Sequence, residues 1–157
     1  MNGWMWIAVG IVAIIAFYTD HTRMIIPNWL TLSAAAAGVA LHAVDAGWDG
    51  LKVSLVGLVG SFLITFIIYL CKGLAAGDVK LFASFGALGG LEFSFTGLVN
   101  SLVIAALVGT CILIMRRMRR EPSADAGGNG KTRIEFPFMY AVLPGLILTY
   151  VTMEVVI

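Results

Sequence analysis

Apolar residues run along this chain in long blocks, with polar residues gathered in the short gaps between them. A helix needs about 20 apolar residues to cross the hydrocarbon core of a bilayer. By that measure the blocks predict six spans: Gly3 to Tyr18, Trp29 to Val44, Leu51 to Leu70, Val79 to about Phe93, Thr96 to Met115 and Phe138 to Ile157. The fourth is the shortest. Its Gly86, Gly89 and Gly90 lower helix propensity, yet Gly86 and Gly90 have the small-x-x-x-small spacing that lets membrane helices pack closely. The expected fold is therefore all-α: one polytopic integral membrane domain over 1–157 with about six transmembrane helices. Residues 116–137, with the run Arg116-Arg117-Met118-Arg119-Arg120 and then a Gly-, Ser- and Asp-containing stretch, read as a flexible cytoplasmic loop within it.

Composition agrees. Of 157 residues, 60% are hydrophobic and only 12% charged, about half the roughly 25% charged residues of a soluble domain, and the mean hydropathy is +0.97. A water-soluble fold is excluded, as is disorder, which needs low hydrophobicity and high net charge. A net charge of +1 gives no basic surface for nucleic acid. Cys71 and Cys111 have no C-x-x-C spacing, so neither a zinc site nor a redox pair is expected, and both read as small packing residues.

Charge placement orients the spans. No Lys or Arg precedes Arg23, so the first span lacks the basic region of a cleavable signal and is expected to be retained, with the amino terminus outside. Every Lys and Arg except Lys52 then falls on the cytoplasmic side, as the positive-inside rule requires, and both termini lie outside. Trp4, Trp6, Trp29 and Trp48 fall near span ends, as in an aromatic belt.

Two acids share the cytoplasmic face: Asp20 after the first span and Asp78 before the fourth. Individually each has an ordinary reading. Asp78 would cap a helix, Asp20 would be a solvated loop residue, and Asn28 after Pro27 would be the N-cap of the second helix. Their surroundings, Thr19 through Leu30 and Gly73 through Leu81, change the picture. With Ile26-Pro27-Asn28 after the first acid and Gly77-Asp78-Val79-Lys80 around the second, the chain resembles the type IV prepilin peptidases, polytopic membrane aspartyl proteases with a Gly-x-Gly-Asp motif. The Phe136-Pro137-Phe138 stretch is similar to the start of that family's final helix. One position departs: Ala75 stands where the motif has its first Gly.

The resemblance implies that Asp20 and Asp78 are the catalytic pair, with Gly77, Lys80, Pro27, Asn28 and Arg23 shaping the site or touching substrate. Two neighbouring carboxylates sharing one proton supply both the base and the acid that amide hydrolysis needs, without metal or cofactor. His21, beside Asp20, reads as solvated or as tuning that acid, and His42 as a packed or interfacial histidine. The expected partners are a prepilin or pseudopilin with a hydrophobic helix, membrane lipid and pilus assembly machinery. The paired C-x-x-C insert linked to amino-terminal methylation is missing, so the resemblance is to the short, peptidase-only form serving tight-adherence (Flp-type) pili. It implies a bacterial cytoplasmic (inner) membrane enzyme cutting leaders at the cytoplasmic face. Two alternatives stay open: an archaeal preflagellin-type peptidase, and a non-catalytic membrane scaffold or small transporter.

Overall fold

A computed structural model describes the backbone of residues 3–23, 26–118 and 139–156. Among these the chain forms four helices: α1 (Gly3–Arg23), α2 (Asn28–Leu70), α3 (Ala76–Met118) and α4 (Met139–Val156). Three, α1, α2 and α3, are long and apolar enough to cross a membrane, and Met139–Met153 within α4 is a shorter apolar helix. Six separate helices are thus not found. The difference lies in α2 and α3, each 43 residues long, or about 65 Å if straight, twice the roughly 30 Å of a hydrocarbon core.

Neither is straight. In α2, Ala46 (φ −129°, ψ 15°) and Gly47 (φ 57°, ψ −130°) leave helical geometry, and the chain folds back so tightly that a Cβ at Gly50 would overlap the His42 carbonyl. In α3 the break is Gly90 (φ 83°, ψ 173°). The Ser94 hydroxyl donates to the Phe82 carbonyl at 2.8 Å, although in a straight helix these residues would stand about 18 Å apart. Positive φ explains the glycine at both breaks. The sequence predicted a fourth span reaching Phe93; instead Phe93 belongs to the second half of α3.

A helix break inside a membrane domain leaves carbonyls without partners, and these must be satisfied within the protein. Two side chains from α2 do so. Ser54 Oγ donates to the Ala87 carbonyl at 2.8 Å, and His42 Nε2 to the Leu88 carbonyl at 3.1 Å, which makes His42 a packed histidine. Glycine makes this approach possible. A Cβ at Gly57 would overlap the Gly86 carbonyl, and one at Gly38 would crowd the Ala87 backbone.

The first half of α3 is the centre of the molecule. Residues 78–79 and 81–88 are all buried, with Phe82, Phe85 and Leu88 among the most enclosed side chains. This accounts for the apolar, Gly-rich sequence there: the helix meets protein on all sides. Outward, Ile7, Leu32, Leu63, Leu107 and Ile147 are exposed, an apolar surface that water would not tolerate. Trp29 and Trp48 are exposed as belt residues would be, but Trp6 packs inward, edge-on to Phe93 and Tyr150. Cys71 and Cys111 are exposed rather than packed. Of the expected loop 116–137, residues 116–118 are helical and the remainder lies outside the described residues.

Candidate active site

Asp20 lies within α1, which runs on to Arg23, so Asp20 and His21 are helical rather than loop residues. The half-buried Asp20 carboxylate accepts a hydrogen bond from the backbone N–H of Met139, the first residue of α4. That bond satisfies one of the N–H groups left free at a helix start. The other oxygen, Oδ2, is buried and has no hydrogen-bond partner among the described residues. A buried carboxylate oxygen without a partner is costly and calls for a water, a proton or a ligand.

Asp78 is 5% exposed. It is inside α3, which begins at Ala76 rather than Val79. Its Oδ2 accepts the Ala75 N–H at 3.2 Å, the N3 half of a capping box, while its own N–H donates to the Ala75 backbone carbonyl at 3.1 Å. The capping role expected of Asp78 is therefore real, and it occupies one oxygen. Ala75 does not have a positive φ, so its methyl group meets no left-handed strain, and its backbone N–H still serves the acid.

The structure brings the two acids within electrostatic reach of each other. It also brings together the two sequence motifs. Ile26 is buried against Gly77, where a Cβ would lie 3.4 Å from the Ile26 side chain. Lys80 Nζ donates to Asn28 Oδ1 at 2.8 Å across 52 positions of sequence. Pro27, not Asn28, is the N-cap of α2, and it offers no side-chain cap (φ −69°, ψ 138°). Asn28 instead holds Lys80. The side chain of Arg23 lies outside the described residues.

Two residues escaped the sequence reading. Tyr140, at the start of α4, shares a hydrogen bond with His21 Nδ1 (3.0 Å) and packs edge-on to Phe17 (centroids 5.1 Å), which stacks on His21. Met139 contributes only its backbone. No sequence signal marks a backbone donor, and an aromatic residue at a span end reads as belt. In the turn before α3 the positive φ falls on Lys72 (φ 60°) and not on the adjacent Gly73. The Lys72 and Gly73 N–H groups donate to the Tyr69 and Ile68 carbonyls, a Schellman closure of α2.

Among the described residues no group of three or more His, Cys, Asp or Glu side chains converges on one point. The arrangement is two carboxylates, Asp20 near the carboxyl end of α1 with one oxygen on the first N–H of α4 and the other open, and Asp78 in the first turn of α3, with the Ile-Pro-Asn and Gly-Asp-Val-Lys segments in contact beside them. No curated protein and no solved structure matches this chain. The sequence profile of the type IV leader peptidase family matches residues 7–114, which include both acids and both motifs, and the chain belongs to that family of peptidases.

Proposed function

We propose that the protein is an aspartyl endopeptidase that removes the leader peptide of prepilins or pseudopilins at the cytoplasmic face of the bacterial inner membrane, with Asp20 and Asp78 as its catalytic dyad. The observation carrying this reading is the buried, unpartnered Oδ2 of Asp20 beside a second carboxylate. The pair holds one proton between its two carboxyl groups, because two like charges so placed do not both ionise cheaply.

Hydrolysis then balances within the dyad. The ionised carboxyl takes a proton from water as the water oxygen bonds to the scissile carbonyl carbon, and the protonated carboxyl gives its proton to the carbonyl oxygen. In the second step the carboxyl that gained a proton passes it to the leaving nitrogen, the C–N bond breaks, and the other recovers a proton from the diol. The pair ends singly protonated, ready for another turnover. Because the acids titrate as a unit, acid and base are not assigned separately. Asn28 and Lys80 act as positioning residues, joining the start of α2 to the helix that bears Asp78.

The reversals within α2 and α3 support six crossings, with both termini outside and the acids inside. The cytoplasmic placement follows from the distribution of Lys and Arg. Lacking the paired C-x-x-C insert, the protein is a peptidase without methyltransferase activity, of the short form serving tight-adherence pili. The test is to express Asp20→Asn and Asp78→Asn with a prepilin. Each variant inserts into the membrane normally and leaves the prepilin uncut; complete processing by either refutes the dyad.

A further inference from the structure

The last turn of α1 carries Asp20, yet packing alone does not hold it in place. Ala16 is fully buried, but from Phe17 to Thr22 every residue is half-buried or exposed, and the Thr19 and Thr22 hydroxyls bond back to carbonyls of α1 itself. Between Trp6 and Ile14 an apolar groove of about 450 Å³ parts α1 from α4. The amino end of α4 is the opposite case. Met139, Ala141 and Val142 are fully buried, and further along the helix Thr149 accepts a hydrogen bond from Asn100 of α3 at 2.9 Å. Consecutive residues of α1 bond to consecutive residues of this fixed point: Asp20 to the Met139 N–H, and His21 Nδ1 to the Tyr140 hydroxyl at 3.0 Å. Three rings complete the contact. Phe17 and His21, one turn apart on the same helix face, stack with centroids 6.3 Å apart, and Tyr140 meets them edge-on at 5.1 and 6.1 Å.

We propose that Tyr140 is a positioning residue of the peptidase: acting through His21, it fastens the end of α1 to the start of α4 and so keeps Asp20 on the Met139 N–H. The inference rests on the leader-peptidase reading. It goes beyond the family match, which ends at residue 114 and includes nothing of α4. Asp20 does not hold that geometry by itself, because one oxygen is bonded and the other has no partner among the described residues, which leaves the carboxylate free to turn about its side-chain bonds. The imidazole beside it, held by two rings and a hydroxyl, fixes the backbone from which the acid projects. A reacting group displaced by about 1 Å loses much of its rate, so a contact outside the chemistry is read in kcat.

Tyr140→Phe and His21→Phe each keep the ring contacts and remove the hydrogen bond. In cleavage of a purified prepilin in detergent, each lowers kcat about fivefold, the equivalent of one exposed hydrogen bond, and leaves KM unchanged. The double variant is no worse than either. His21→Asn, which keeps a polar atom near the place of Nδ1, recovers most of the loss, as a purely steric role for His21 would not allow. A second readout needs no activity: hydrogen exchange of the Met139 amide speeds up about fivefold in Tyr140→Phe as its bond to Asp20 opens more often. Additive losses, a change confined to KM, an unchanged Tyr140→Phe, or a His21→Asn as slow as His21→Phe overturns the proposal. So does a Tyr140→Phe protein that fails to reach the membrane, which would make the hydroxyl part of the fold and not of the site. Should the unaltered protein cut no prepilin, the leader-peptidase reading falls, and exchange at Met139 alone decides the contact: faster exchange in Tyr140→Phe upholds it, and unchanged exchange overturns it.

Discussion

Replacing Lys80 by Met removes the ammonium group and keeps the aliphatic stem, so it isolates the bond to Asn28. That bond is 2.8 Å long and joins exposed residues. Charged hydrogen bonds contribute about 1.5–3 kcal/mol when enclosed, and exposed pairs about 1 kcal/mol or less, which places this one near 1 kcal/mol. It fastens the segment after α1 to the start of the helix that carries Asp78. If the whole amount is expressed in the fraction of molecules with the acids correctly placed, kcat falls about fivefold while KM stays the same. Asn28→Ala has the same effect, and the double variant is no worse than either, giving a coupling energy of about 1 kcal/mol. Lys80→Arg, which still donates, restores most of the rate. The assay is cleavage of a purified prepilin in detergent, followed over a range of substrate concentrations. Additive losses, or a change confined to KM, would show that Lys80 meets the substrate rather than Asn28 and would refute the positioning argument.

Gly57→Ala puts a methyl group into the Gly86 carbonyl, backbone against backbone. It destabilises the fold by about 3 kcal/mol in reversible detergent unfolding, whereas Gly10→Ala, whose Cβ meets nothing within 4 Å inside α1, stabilises it by up to about 1 kcal/mol. Lys72→Gly relieves a left-handed residue (φ 60°) and stabilises by about 1 kcal/mol in the same experiment. Ala75→Gly, which restores the motif residue, leaves cleavage unchanged because the Ala75 N–H already reaches Asp78; a gain in kcat would show that the methyl group hinders the site.

The acids were legible because carboxylates are rare in an apolar chain and each sits in a recognisable segment. The contact between those segments was not. Asn28 after Pro27 satisfies every local requirement of an N-cap, and only the fold reveals Lys80 in front of it. Hydropathy located the apolar blocks but not how they are joined. Windows see average polarity, whereas the reversals at Ala46–Gly47 and Gly90 are backbone events, and the carbonyls freed at Gly90 are satisfied by His42 and Ser54 from a distant part of the sequence. Helix ends were likewise misjudged where polar residues continue a helix past its apolar stretch, as at Asp20 and His21 in α1.

The early break at Gly90 has a mechanical consequence. The stretch from Ala76 to the break is about 21 Å long at 1.5 Å per residue, well short of a hydrocarbon core of about 30 Å, and Gly90 itself is buried. With the acids at one end of this short strut and protein on all its sides, its length is matched by the helices around it and not by lipid. The spacing between the acid and the break is thereby set by the His42 and Ser54 contacts at its far end: one residue inserted between Asp78 and Gly90 would turn the acid by about 100° while those contacts hold.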